Sequence, residues 1–138
     1  MSKNMRLVRS IMAEWERGDF RFVDWAHPHI EYAIADEPGS QMSCGVAAMM
    51  RTWREFLDVW DDYRVQARDY RAIDDERVLV EITVQGRGRT SGLDIATMAA
   101  ARGSANVFHV RGGKVTRLLA YFDRDQALAD VGLATEGG

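Results

Sequence analysis

The chain has 138 residues, with 18 Lys and Arg against 21 Asp and Glu, for a formal net charge of −3. That length fits one domain, residues 1–138, able to bury roughly two-thirds of the surface its unfolded form exposes. Positive and negative side chains are interspersed with no sustained basic stripe, which argues against nucleic acid or an anionic membrane as partner and leaves a small apolar molecule as the expected one.

Cys44 is the single cysteine and has no intramolecular disulfide partner. The Met1 to Arg9 stretch mixes Lys3, Arg6 and Arg9 with apolar residues and holds no signal-peptide core, so the expectation is a cytoplasmic protein. No apolar run approaches the roughly 18 residues of a membrane-spanning helix.

In chain order, Leu7, Val8, Ile11, Met12 and Trp15 share one helical face, with Ser2 as the N-cap. Gly18 stops this helix. Asp19 opens a short second one carrying Phe20, Phe22, Val23 and Trp25, which Pro28 ends. Ile30, Tyr32 and Ile34 then alternate with Glu31, Ala33 and Ala35, the period of a strand. After the loop from Asp36 to Ser40, a third helix runs from Val46 to Trp60, with Met49, Met50, Trp53, Phe56 and Leu57 recurring at threes and fours.

From Tyr63 the period changes to two. One strand runs to Ile73, Asp74 to Glu76 turns it, and Val78, Val80, Ile82 and Val84 alternate with Leu79, Glu81, Thr83 and Gln85. Gly86 to Gly92 reads as a glycine-rich bend, Leu93 to Val110 as a long bulged strand, and Val115 to Phe122 as the last strand. Asp123 caps a closing helix marked by Ala127, Leu128 and Val131. Helices first and sheet afterwards predict an α+β fold: a curved, mostly antiparallel sheet with three N-terminal helices over its concave face and a short C-terminal helix. Alternation along the long strand places Asn106, Phe108 and Val110 on one face and Val107, His109 and Arg111 on the other.

Several segments together resemble the nuclear transport factor 2-like superfamily, in its SnoaL-like polyketide cyclase and ketosteroid isomerase-like branch. They are Trp15-Glu-Arg-Gly-Asp-Phe20, His29-Ile-Glu-Tyr32, Cys44-Gly45, Arg111-Gly-Gly-Lys-Val115 and Tyr121-Phe-Asp-Arg124. The resemblance implies a cone with an apolar pocket between sheet and helices, and a homodimer formed through the opposite sheet face. It also implies where catalytic groups belong. The isomerase general base matches Tyr32, the oxyanion-stabilising tyrosine matches Ile11, and the acid on the long strand, shared with the cyclases, matches Asn106. The epoxide hydrolase carboxylate matches Ala120. Asn106 donates and accepts hydrogen bonds but cannot shuttle a proton, and a neutral phenol is a poor base.

The expected site is thus an apolar cavity lined by Trp15, Tyr32, Trp53, Asn106, Phe108 and Phe122. Its expected function is binding of a small apolar ligand, without an intact family carboxylate. The alternative is an isomerase, cyclase or epoxide hydrolase-like enzyme acting on a polycyclic or terpenoid-like substrate, with Asp94 or Tyr32 as catalytic residue. A second alternative is a dimeric interaction module using Leu79, Val107, His109 and Leu119 on the outward face. No cofactor and no metal are expected. His27, His29 and Glu31 supply too few ligands, and the acidic clusters miss the spacing of a calcium loop. Gly86 to Gly92 misses the phosphate-loop pattern, and Cys44 has no neighbouring His in sequence.

Overall fold

The computed structural model describes residues 2–21, 23–37, 39, 41–90, 92 and 103–133. The N-terminal amphipathic pattern becomes helix α1 (Lys3–Glu16), whose Ser2 cap accepts from the Met5 N–H at 3.1 Å. Its buried stripe is Val8, Ile11, Met12 and Trp15.

Among the described residues, the short helix expected after Gly18 does not form. The Asp19 carboxylate instead accepts from the Arg21 N–H and closes a local turn, while Phe20, Val23 and Trp25 enter the core singly. A helix that short makes too few hydrogen bonds to offset its nucleation cost. Phe22 lies outside the described residues.

Strand β1 (Ala26–Ile34) follows, then the two-residue β2 (Ser43–Cys44) and helix α2 (Val46–Asp58). Trp60, expected as the last helical residue, begins β3 (Trp60–Ala72). β4 (Arg77–Gly88) keeps pairing with β3 as far as Gly88, so the first part of the expected glycine bend is strand. Of the long strand expected from Leu93, Ser104 to Arg111 form β5, whereas residues 93–102, Asp94 included, lie outside the described residues. Gly112 and Gly113, both with positive φ (59° and 77°), make the tight hairpin turn into β6 (Lys114–Tyr121). Helix α3 (Arg124–Asp130) closes the described chain, capped by Asp123.

The strands form one six-stranded mixed sheet in the order β2-β1-β6-β5-β4-β3. Only β1 and β6 run parallel among its neighbours. Register shifts in β1, β3 and at His109/Val110 are bulges, which bend strands and curve a sheet. Pro28, which has no N–H to donate, lies within the irregular stretch of β1.

The concave face packs against α1 and α2, burying Ile11, Met12, Ile30, Met49, Val80 and Phe108 to 1 % exposure or less. The convex face differs from expectation. Leu79 and Val107, expected as an outward interface, are 0 % and 1 % exposed within one chain, clustered with Ala105, Tyr121 and the α3 residues Ala127 and Leu128. Helix α3 folds back over this face because its apolar stripe needs burial and the sheet offers the only matching surface among the described elements it touches. Glu81, 8 % exposed, lies between Arg71 at 3.1 Å and Arg124 at 3.3 Å, which joins the helix to the sheet by charge as well.

Candidate functional site

A cavity of about 90 Å³ opens between the concave sheet face and the helices. Each element contributes through its own periodicity. Trp15 comes from the buried stripe of α1 and Trp53 from that of α2. Tyr32, Tyr63, Val65, Ile82, Asn106 and Leu118 come from inward positions of the strands, and Phe122 follows β6 at the mouth. Expected site residues Trp15, Tyr32, Trp53, Asn106 and Phe122 therefore meet in one hollow. Phe108 is 0 % exposed, packs 5.7 Å from Trp15, and does not line it. Strand alternation gave its face; its depth under α1 depends on helix docking.

The aromatic wall is built edge to face, the arrangement favoured by ring quadrupoles. Trp15 meets Trp53 at 5.3 Å and 90°, Tyr32 meets Trp53 at 5.9 Å and 84°, and Phe56 meets Tyr63 at 5.4 Å and 88°. Such contacts fix ring orientation, so the hollow has defined walls.

Its polar groups are few and neutral. Tyr32 is 7 % exposed, and burial pushes its hydroxyl up to about 12, aided by the charge of Glu37 and opposed by a hydrogen bond with Trp53. Burial also drives the Tyr63 hydroxyl well above the usual phenol range, with Tyr32 adding to the effect. Asn106 is 8 % exposed, opposite Val80 on one side and Ala120 on the other. The buried Trp15 Nε1 has no partner among the described residues. No carboxylate or imidazole lines the cavity among the described residues.

Phe122 is 38 % exposed, and its placement is determined by its backbone. The Asp36 carboxylate accepts from the N–H groups of Phe122 and Asp123, at 2.9 and 2.8 Å, while Ser104 Oγ donates to the Phe122 carbonyl at 3.0 Å. Sequence reasoning missed Tyr63, Phe20 and Ser104 as lining residues. A signal existed for Tyr63: it shares its strand face with Val65, which is 5 % exposed.

The remaining candidates do not assemble. His27 Nδ1 accepts from the His29 backbone N–H at 3.0 Å, Glu31 pairs with Arg117 at 2.9 Å, and no cluster of three or more metal-ligating side chains occurs among the described residues. Cys44 is exposed. No helix is long and apolar enough to cross a membrane among the described residues.

The SnoaL-like domain family matches residues 8–118. No curated protein matches the chain. Among solved structures, a nuclear transport factor 2-like protein of unknown function from Burkholderia pseudomallei superposes with a TM-score of 0.73 at 17% identity, covering 94% of this chain and 97% of its own. A provisionally named polyketide cyclase from Xanthomonas campestris pv. campestris gives 0.67 at 23% identity, with 94% and 96% coverage. TerC, co-crystallised with polyporic acid, gives 0.69 at 18% identity, with 95% and 99% coverage. At these identities the structural likeness shows a shared fold.

Proposed function

The chain belongs to the SnoaL-like domain family of the nuclear transport factor 2-like superfamily, and we propose that it binds a small, largely apolar, ring-bearing molecule in the concave cavity. The observation that carries this reading is an aromatic hollow whose polar side chains, Tyr32, Tyr63, Ser104 and Asn106 among them, are all neutral. Burial of apolar ligand surface supplies the driving force, about 25 cal/mol per Å², and a few fixed polar groups supply orientation. A volume of about 90 Å³ takes at most a single ring, so a larger ligand extends past Phe122 into the mouth. The co-crystallisation of TerC, a protein of the same fold, with polyporic acid supports an organic occupant.

An isomerase, cyclase or hydrolase reaction is the second reading, favoured by the provisional naming of the Xanthomonas campestris neighbour as a polyketide cyclase. It requires a proton carrier. Tyr32, with its hydroxyl near 12, is almost wholly protonated at neutral pH and is a weak base there. Asp94 is the remaining candidate. Helix α3 covers the Leu79 and Val107 part of the face expected for a homodimer, while His109 and Leu119 on that face stay partly exposed.

Tryptophan fluorescence tests the binding reading, because Trp15, Trp25 and Trp53 contact one another beside the cavity. Apolar ring compounds are expected to change the emission saturably, and Ala120→Trp, which fills the hollow from β6, is expected to abolish that response. Absence of saturable binding across steroid, polyketide and terpenoid sets, or unchanged affinity in the filled variant, removes the proposal.

A further inference from the structure

We infer that Asp36 and Ser104 are positioning residues that clamp Phe122 as a fixed platform at the cavity mouth, so that the site favours elongated ligands, with one ring inside the cavity and a second apolar ring outside it against Phe122. This rests on the proposed apolar-ligand reading and adds the ligand's length and the residues that select for it.

The sheet itself holds β6 only as far as Tyr121. On the β1 side the Ala35 N–H donates to the Ala120 carbonyl at 2.8 Å, and on the β5 side the pairing ends with Ala105 opposite Tyr121. A residue just past the final rung ordinarily frays. At Phe122, side chains from both flanks take over from the ladder. Asp36, two residues beyond the end of β1, accepts from the Phe122 N–H with Oδ1 at 2.9 Å and from the Asp123 N–H with Oδ2 at 2.8 Å. Ser104, the first residue of β5, donates from Oγ to the Phe122 carbonyl at 3.0 Å. The Arg124 N–H then donates to the Gly103 carbonyl at 3.1 Å, fixing the chain beyond the clamp. Both amide bonds run to one carboxylate, and a charged acceptor makes the stronger kind of hydrogen bond.

The ring is placed by this backbone and not by packing, since Phe122 belongs to neither apolar cluster. Three large apolar side chains are exposed among the described residues, Met42, Val59 and Phe122, and of these Phe122 alone lines the cavity. An uncovered aromatic face beside a hollow that takes at most one ring suits the part of a ligand that stays outside, where it can stack or meet the ring edge to face. Holding that face in position beforehand removes the ordering cost of using it. The clamp therefore converts a terminal strand residue into a binding surface, and only a ligand long enough to reach past the mouth gains from it.

The test titrates benzyl alcohol, with one ring, and 4-phenylbenzyl alcohol, with two, and reads both affinities from the tryptophan indole signals by nuclear magnetic resonance. The native protein is expected to prefer the two-ring alcohol by roughly tenfold or more. Phe122→Ala is expected to cut that preference roughly three- to tenfold while leaving benzyl alcohol within about twofold of its native affinity. Asp36→Asn keeps one acceptor but turns an NH₂ group toward the second amide, so it should reduce the preference by roughly threefold. In the Phe122→Ala background it should add nothing, because Asp36 acts through that ring. Ser104→Ala carries the same comparison should Asp36→Asn fail to fold, the readout being the ratio of the two affinities. Equal native affinity for the two alcohols, an unchanged ratio in Phe122→Ala, or an Asp36→Asn effect that persists in that background overturns the clamp and leaves the apolar reading standing. Binding of neither alcohol overturns that reading, and the clamp with it.

Discussion

The Tyr121 hydroxyl donates to Asp130 Oδ2 at 3.0 Å, fixing α3 on the convex face, while the adjacent Phe122 turns to the cavity mouth. Two neighbouring residues thus serve opposite sides of the sheet. Removing the bond with Tyr121→Phe leaves Asp130 free to solvate, since it is exposed. The expected cost is about 0.5–1.5 kcal/mol, read as a lower urea midpoint. An unchanged midpoint would show that the helix docks without this bond.

Packing beneath α3 should matter more. Leu128 is 3 % exposed against Leu79 and Val107, so Leu128→Ala should cost roughly 2–4 kcal/mol and increase binding of a hydrophobic dye to the uncovered face. A loss under about half a kcal/mol would mean that the helix is dispensable to the fold.

Glu81 provides the charged part of the same attachment. Its partners Arg71 and Arg124 are partly exposed, which screens the pairs and moderates their worth. Glu81→Gln is expected to destabilise by about 1–2 kcal/mol, with the difference from the native protein shrinking in high salt. Insensitivity of that difference to salt would assign the effect to shape.

Alkaline titration should reveal the buried phenols. Above about pH 10 an unfolded tyrosine gives up its proton, whereas Tyr32 in the folded chain holds it until about 12 and Tyr63 is raised as well. The folded state then binds more protons than the unfolded one, so stability is full below pH 10 and falls as pH rises from there toward 12, by about 1.4 kcal/mol per pH unit for each such group. Tyr32→Phe should reduce that slope in urea melts taken across the range. Appearance of all phenolate absorbance near pH 10 in the folded protein would refute the assignment.

On the acid side, burial and the charges of Arg117 and Arg77 hold His109 below its ordinary 6.5. Its contribution to stability is therefore present above pH 6.5 and lost as pH falls, because the unfolded chain takes up the proton first. His109→Gln should flatten the stability profile just below pH 6.5. Nuclear magnetic resonance titration showing His109 charged above that pH would oppose it.

Much of this was legible in the sequence because strand alternation is a local property. It put Tyr32 and Asn106 on the inward face, and helical spacing did the same for Trp15 and Trp53. Depth and docking are set between elements, and these the chain does not spell out. Phe108 has the right face yet lies below the hollow, since α1 covers it through Trp15. Leu79 and Val107 alternate outward as read, but the closing helix occupies that side. The aromatic residues after Gly18 looked helical by composition, although each one inserts separately from a turn. Tyr63 was legible in principle, because its spacing to Val65 shares the alternation that placed Tyr32.

At the end of β6 three successive positions have separate duties: Tyr121 anchors a helix, Phe122 borders the entrance, and Asp123 caps that helix while its amide is gripped by Asp36. A single-residue insertion or deletion here would swap the assignments, driving a phenyl ring under the helix and a hydroxylated one toward the entrance. Changes at this rim that keep both the helix anchor and the entrance are consequently those that replace side chains in place, with chain length held constant.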